Sequence, residues 1–486
     1  MSINKFWLTI SILTSCVSFY FFIFSGGIFF FSDVYAYLSY AQNLYNLGFV
    51  YDITTIPTAS PNTPQIGIVL IYAFLRFFTE DMINMVKIVI AILTINLIFI
   101  YYLIFKIGKI LEIRETVLRI FILSLSLSFY YYYYYIQPIN DGFYISLFLL
   151  SIYIILKIIQ NKNELSRKYW IYLFLISITI PLFRLQGMIE IIASIIVFSL
   201  VQKNYKKAFF SFLLLISAFI SVRIIVYFFI NDFTNLKLLT EVSIFNNFSN
   251  ILISIKILFG SVIPSMYFNK QIDYVDINSF YIISIMIFSC TIFIFFKSFI
   301  NRDAKIFFLV LIIIGNYGAL ILFNVMIDRY IYINATLLSL IILYYLNPVY
   351  KVIFAILLLF FSLFTFYSAL TQKKMSSKEI ELNIEYLKEN YKDYNLISPS
   401  PRQFYFYLNK PSTTNLEYIN KNLPIIIIGY KDVVENLIKN LREKNLELSI
   451  RKIPLNWQLD KWMVNVNVYY ETYEINILKS RKENEN

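Results

Sequence analysis

Long apolar stretches separated by short polar loops run through the first 370 residues, and they constrain this chain more than any other feature. A helix needs about 20 apolar residues to cross the hydrocarbon core of a bilayer. With 59% hydrophobic and only 15% charged residues, the chain has too little polar surface for a water-soluble globule. We therefore predict a mainly α fold, a polytopic transmembrane bundle. Its spans, about eleven by this length rule, are 6–30, 86–105, 118–136, 142–158, 169–184, 187–202, 208–230, 279–296, 306–325, 330–347 and 350–370.

The basic residues behind the net charge of +12 predict the orientation of these spans. If the N-terminus is cytoplasmic, every cytoplasmic loop is basic, whereas the opposite loops are acidic or nearly neutral. This asymmetry accounts for the charge, so we expect no nucleic-acid partner. Counting the apolar run 64–78 as a crossing would invert all later loops, and we therefore predict a re-entrant or interfacial helix there. The expected location is the bacterial cytoplasmic membrane.

The character of the chain changes after residue 370. Helix-like runs at 376–391 and 431–444 alternate with strand-like runs at 394–397, 424–428, 446–452 and 464–472. This alternation is typical of a small α/β domain. We predict a transmembrane domain over 1–370 and an α/β domain over 371–486, which an uneven number of crossings places outside the cell.

The first external loop, 32–85, begins with Asp33 directly after the first span. Val34, Leu38, Ala41 and Tyr45 recur on one helical face, which predicts a helix lying on the membrane surface with its tyrosines at headgroup depth. Gly48 is a predicted helix stop. A proline-containing polar loop then leads to the second interfacial helix, so the two helices would frame an external cavity.

This loop resembles the opening of the GT-C fold glycosyltransferases, among them protein O-mannosyltransferases and aminoarabinose transferases. The resemblance rests on Asp33-x-x-x-Tyr37-x-x-x-Ala41-x-x-Leu44, Gly48 and Tyr51-Asp52, followed by the proline-containing stretch. It covers roughly the first 370 residues. It implies transfer of a sugar from a polyprenyl-phosphate carrier to a glycan, lipid or protein acceptor. External C-terminal domains occur in the aminoarabinose-transferase branch, which implies acceptor binding or covering of the cavity.

Three further segments resemble elements of that family. Asn140-Asp141-Gly142 opens the fourth predicted span, where these enzymes often place an acidic residue. Arg184-Leu185-Gln186-Gly187 is similar to their Arg-Pro-Glu-Gly turn, with Leu and Gln in place of Pro and Glu. Asp328-Arg329-Tyr330 resembles their outer Arg-Tyr pair, without the proline that often follows.

The chemistry of such a transfer needs a base and a cation. The bond between the anomeric carbon and the phosphate oxygen breaks without protonation, because a phosphate is a good leaving group. The acceptor must lose a proton, for which we predict Asp33 as the base. Arginines suit the phosphate, and the candidates are Arg184, Arg329 and, inside the seventh span, Arg223. Asp141, Asp52 and Tyr330 are accessory candidates. One base without a nucleophile predicts inversion.

Several alternatives stay open on the sequence alone. Asp33 could cap a helix, Asp52 could be a turn residue, and Arg329 could pair with Asp328. Asp33 and Asp141 could bind a divalent metal, although two carboxylates are few for a metal site. The tyrosine run 130–135 predicts an anchoring belt at the interface rather than a sugar-stacking platform. A flippase, or a polymerase or ligase of polyprenyl-linked glycans, would have a similar composition.

Overall fold

The structure is a computed structural model, and it describes part of the chain. The described residues are 3–20, 32–48, 50, 55–56, 66–161, 167–229, 277–322, 328–371, 377–391, 393–398, 408, 410–413, 419–420, 422–429, 431–443, 446–457 and 470–480. The chain forms two compact units. The helical unit comprises Met1–Ser18, Thr63–Ile68 and Val86–Gln372, and the mixed unit comprises Phe19–Asn62, Val69–Met85 and Lys373–Asn486.

Apolar helices build the helical unit. They are α1 (Ile3–Ser18), α4 (Met82–Ile110), α5 (Glu115–Leu127), α6 (Phe129–Tyr135), α7 (Asn140–Gln160), α8 (Arg167–Phe183), α9 (Ile189–Ile196), α10 (Tyr205–Phe229), α11 (Ile277–Ile300), α12 (Ala304–Leu322), α13 (Asp328–Tyr345) and α14 (Pro348–Thr371). A 3-10 turn, Leu185–Met188, precedes α9, and a π-helical segment, Val197–Val201, follows it. These bounds lie within a few residues of the predicted apolar stretches, except where residues lie outside the described part.

The membrane fold that the sequence predicts is confirmed at the level of a helical bundle with a small C-terminal sheet. Within the described residues, three helices are long and apolar enough to cross a membrane: Asn84–Ile110, Asn140–Gln160 and Tyr205–Ile224. Shorter apolar helices cover five more of the predicted stretches. The number of eleven spans stays a prediction.

Basic loops tie the helices together at one end of the helical unit, which we call the basic end. The Nζ of Lys207 donates to the carbonyl oxygens of Ile158 and Asn161 at 3.0 and 2.9 Å, and so caps the C-terminus of α7. The Nζ of Lys305 donates in the same way to the carbonyl of Ile110 at 3.1 Å. The start of α10 therefore contacts the end of α7, and the start of α12 contacts the end of α4.

The mixed unit contains a six-stranded sheet in the order β1-β3-β2-β4-β6-β5. The strands are β1 (Thr55–Ile56), β2 (Asn395–Ile397), β3 (Ser412–Thr413), β4 (Ile425–Gly429), β5 (Leu446–Trp457) and β6 (Tyr470–Ser480). β1 to β4 pair in parallel, and β6 pairs antiparallel with β4 and β5. Helices α15 (Ser377–Asn390) and α16 (Lys431–Glu443) each contribute apolar side chains to a separate core. Of the predicted last strand, 464–472, only residues 470–472 lie within the described part, and they belong to β6.

The first external loop forms the two predicted helices, α2 (Ser32–Leu47) and α3 (Gly67–Leu75). Gly48 ends α2 as predicted: its φ is +78°, and its amide donates to the carbonyl of Leu44 at 3.0 Å. The expectation that the tyrosines of α2 lie at headgroup depth stays a prediction: Tyr45 is 45% exposed, whereas the other three are buried. Tyr35, Tyr37 and Tyr40 are buried, because every residue from 34 to 41 is buried and α2 has no open face there.

Candidate functional site

The first turn of α7 brings two polar side chains into the helical unit. Pro138 lies in the short connection after α6, and the helix resumes at Asn140. The Oδ1 of Asn140 accepts a hydrogen bond from the backbone amide of Ile68 at 2.9 Å. Asp141 is only 2% exposed. A carboxylate in a first helical turn is favoured by the unpaired amides and the dipole of the helix, so α7 itself supports the charge of Asp141.

The end of α8 positions Arg184 in the same way. Pro181 lies in the last turn of α8, and the backbone of Arg184 is extended with φ −158° and ψ 133°, so the helix ends there. The chain then makes the 3-10 turn Leu185–Met188 before α9 begins. The predicted turn between two spans at Arg184-Leu185-Gln186-Gly187 is thus present. It leaves Arg184 only 6% exposed.

Arg184 and Asp141 form an ion pair inside the helical unit. The Nε and Nη2 atoms of Arg184 both donate to Oδ1 of Asp141. Two predicted site residues, 43 positions apart in the chain, are therefore in direct contact. A buried pair of this kind survives only with favourable geometry, because both charges have lost their water. The structure gives the guanidinium a fixed place and a fixed partner.

Two glycines allow the segments around this pair to pack closely. A Cβ on Gly142 would lie 2.3 Å from the carbonyl oxygen of Tyr135, and a Cβ on Gly187 would lie 2.5 Å from the side chain of Ile180. Both distances are too short for a methyl group. The observed packing therefore requires glycine directly after Asp141, at Gly142, and at the end of the Arg184-Leu185-Gln186-Gly187 turn, at Gly187.

Glu190 is a buried carboxyl group that the sequence analysis did not single out. It is fully buried, and neither carboxyl oxygen has a hydrogen-bond partner among the described residues. Ser151 lies beside it. Tyr144 is close enough to Glu190, Arg184 and Asp141 to interact electrostatically with all three. One signal could have found Glu190: it is the single acidic residue in the predicted span 187–202.

The tyrosine run 130–135 is part of the interior, so its prediction as an interfacial belt is wrong for the described side chains. Tyr131 and Tyr135 are 0% exposed. The hydroxyl of Tyr131 shares a hydrogen bond of 2.5 Å with Thr336, and Ser128, just before the run, shares one of 2.6 Å with Tyr332. Hydrogen bonds to α13 replace the water that an interfacial tyrosine would meet.

The structure reaches the remaining predicted site residues only in part. Asp52 lies outside the described residues. Asp33 belongs to α2, and Arg329 and Tyr330 belong to the first turn of α13, but their side chains are outside the described part. Arg223 is exposed on α10. The convergence of Asp33 with the arginines therefore stays a prediction.

The described residues bring together no group of three or more His, Cys, Asp or Glu side chains that could hold a metal ion. Asp141, one of the two carboxylates considered for a metal, is paired with Arg184 instead. A guanidinium in contact with a carboxylate opposes the approach of a cation. Around this pair, the arrangement of charges suits an anionic ligand of Arg184 better than a metal.

No protein-family model matches the chain, and no curated protein matches it by sequence. Solved structures do match by fold. The Archaeoglobus fulgidus oligosaccharyltransferase in complex with Zn and sulfate is 11% identical, with a TM-score of 0.53 over 86% of this chain and 68% of that one. The same enzyme tethered to an acceptor peptide containing the NVT sequon is 11% identical, with a TM-score of 0.55 over 93% of this chain and 69% of that one.

ArnT from Cupriavidus metallidurans, bound to undecaprenyl phosphate, is similar over nearly its whole length. The identity is 9% and the TM-score 0.53, over 96% of this chain and 98% of that one. Both neighbouring proteins are GT-C fold membrane glycosyltransferases. At identities this low the likeness establishes the fold alone. The chain has the GT-C fold, as the resemblance of its first loop predicts.

Proposed function

We propose that this GT-C fold chain is a membrane glycosyltransferase. It transfers a sugar from a polyprenyl-phosphate carrier to a glycan, lipid or protein acceptor on the extracytoplasmic side of a bacterial cytoplasmic membrane. The observation that carries the proposal is the similarity in fold, over 96% of this chain, to an enzyme bound to undecaprenyl phosphate. The buried Asp141–Arg184 pair supports it, because it fixes a guanidinium beside the start of α7.

The proposed reaction is a single displacement. The acceptor oxygen or nitrogen attacks the anomeric carbon, the bond from that carbon to the phosphate oxygen breaks, and the electron pair leaves with the polyprenyl phosphate. The acceptor proton passes to the carboxylate of Asp33, with Asp52 and Tyr330 as accessory groups. Attack from the face opposite the leaving group inverts the anomeric configuration.

In this proposal the arginines stabilise the phosphate as its negative charge grows. Arg184 and Arg329 bind its oxygens, with Arg223 as a further candidate on α10. Asp141 orients Arg184, since both Nε and Nη2 point at its carboxylate. A guanidinium has five N–H donors in a rigid plane and can serve two anions at once. The pair thus holds the cation ready without a change of rotamer when the donor arrives.

Purified protein in detergent tests the proposal. It receives either a polyprenyl monophosphate sugar or a polyprenyl diphosphate oligosaccharide, with a mixture of acceptors, and the released polyprenyl phosphate or polyprenyl diphosphate is measured. We expect turnover with the monophosphate donor. Asp33→Asn should lower kcat by about 100-fold or more, whereas Glu80→Gln, an exposed carboxylate of the same loop, should leave it unchanged.

The result also separates the other functions. Turnover with the diphosphate donor alone would identify a polymerase or ligase. Turnover with neither, together with movement of a lipid-linked glycan across a vesicle membrane, would identify a flippase. Full activity of Asp33→Asn with the monophosphate donor would leave the enzyme class intact and disprove the role of this base.

A further inference from the structure

Four cations are exposed near the starts of α8 and α10, at the basic end. Arg167 and Lys168 open α8, Lys203 lies in the loop before α10, and Lys206 is in the first turn of α10. We call these four residues the basic surface. α8 and α10 pack side by side, as the Trp170 and Phe210 rings, 5.5 Å apart, show. Because Lys207 binds Asn161, the start of α10 lies next to the end of α7, the helix that precedes α8 in the chain.

The basic surface has no acidic counterpart on its own elements. Neither α8 nor α10 contains an aspartate or glutamate, and the segment 162–166 adds Lys162 and Glu164, one charge of each sign. None of the four cations forms an ion pair within the described residues. Two helix N-termini at the same place add partial positive charge. The basic surface therefore favours an anionic partner.

Apolar side chains continue directly from these cations along both helices. On α10, Tyr205 is 71% and Phe209 58% exposed, and on α8, Ile171 is 57% exposed. The Nζ of Lys168 lies 5.6 Å from the centre of the Tyr172 ring, so its aliphatic stem runs along an exposed aromatic ring. A soluble anionic polymer would satisfy the cations and leave this apolar surface in water.

We propose that the basic surface binds the headgroups of anionic phospholipids, while the apolar faces of α8 and α10 contact their acyl chains. Only a ligand that is anionic at one end and apolar at the other matches both halves of the surface. Lysines and arginines at a membrane surface attract anionic lipids, and several of them act together. This inference is independent of the proposed sugar transfer.

Native mass spectrometry of the purified full-length protein tests the inference. The protein in detergent is titrated with phosphatidylglycerol, cardiolipin or phosphatidylcholine, and bound lipid is counted. The test variant changes Arg167, Lys168, Lys203 and Lys206 to Gln. The control variant replaces four exposed cations of the mixed unit in the same way, Lys431, Lys439, Arg442 and Arg451. It therefore has the same net charge as the test variant.

We expect the wild type and the control variant to bind the two anionic lipids, and the test variant to bind them at least about tenfold more weakly. Phosphatidylcholine should bind weakly to all three proteins. Raising the salt concentration should weaken anionic lipid binding to the wild type, which requires no variant. Equal affinity of the test and control variants, or equal binding of all three lipids, would overturn the proposal. The proposal would also be overturned if, after lipid removal, another protein remained bound to the wild type but to neither variant.

Discussion

At the scale of single residues, the Asp141–Arg184 pair is the clearest chemical feature of the structure. Each residue is nearly inaccessible, at 2% and 6% exposure, so each depends on the other for compensation of its charge. Removing one partner of such a pair strands a buried charge, whereas removing both does not. This asymmetry distinguishes a coupled pair from two residues that are merely close.

We therefore predict that Asp141→Asn lowers the free energy of unfolding by about 3–5 kcal/mol, measured by thermal or SDS-induced unfolding in detergent. The double variant Asp141→Asn with Arg184→Gln should recover part of this loss, because no unpaired guanidinium remains. Glu80→Gln, at an exposed position, serves as the control and should be neutral. A double variant less stable than Asp141→Asn alone would contradict the coupling.

The helices show what an amino-acid pattern determines by itself. The bounds of α7 and α10 agree with the predicted stretches because hydropathy and helix-ending residues are local properties of the sequence. Gly48 could be predicted as a helix stop for the same reason: its left-handed φ is a local requirement. The contact of Arg184 with Asp141 could be suspected only from their shared place at helix ends, since nothing local encodes a partner 43 residues away.

Two elements show where the pattern is insufficient. The composition of α2 and of the run 130–135 suggests an interfacial belt, yet Tyr35, Tyr37 and Tyr40 of α2 and the described tyrosines of the run are buried. Tyrosine serves both environments, and the hydroxyl of Tyr131 finds its partner on a distant helix. β1 is similar: two residues of the first loop pair with Ser412 and Thr413, and so short a strand has no pattern to detect.

Close packing of α7 predicts an effect of Gly142→Ala. The added methyl group would lie 2.3 Å from the carbonyl oxygen of Tyr135, a backbone atom that cannot rotate away. We expect a loss of about 1–3 kcal/mol in the free energy of unfolding. The matched control is Gly318→Ala in α12, where no atom lies within 4 Å of the new Cβ. Alanine should be neutral or stabilising there, by up to about 1 kcal/mol, so equal effects of the two changes would refute this account.

Charge is distributed unevenly over the whole chain. The loops at the basic end contain most of the cations of the helical unit, whereas Asp141 and Arg184 lie at the opposite end of α7 and α8. Since basic loops stay in the cytoplasm, the basic end should face the cytoplasm. If the number of crossings from a cytoplasmic N-terminus is odd, as the sequence predicts, the C-terminal sheet and its helices lie outside.

Cysteine labelling in intact cells tests this orientation for the molecule as a whole. Cys16 and Cys290, both exposed, are first replaced by Ser. Single cysteines then go to two exposed positions: Asn440→Cys on α16, and Asn301→Cys in the loop between α11 and α12. A membrane-impermeant maleimide should label position 440 in intact cells and position 301 only after lysis. The reverse pattern would invert the topology and with it the side of the membrane on which Asp33 works, whereas labelling of both positions in intact cells would mean an even number of crossings between them.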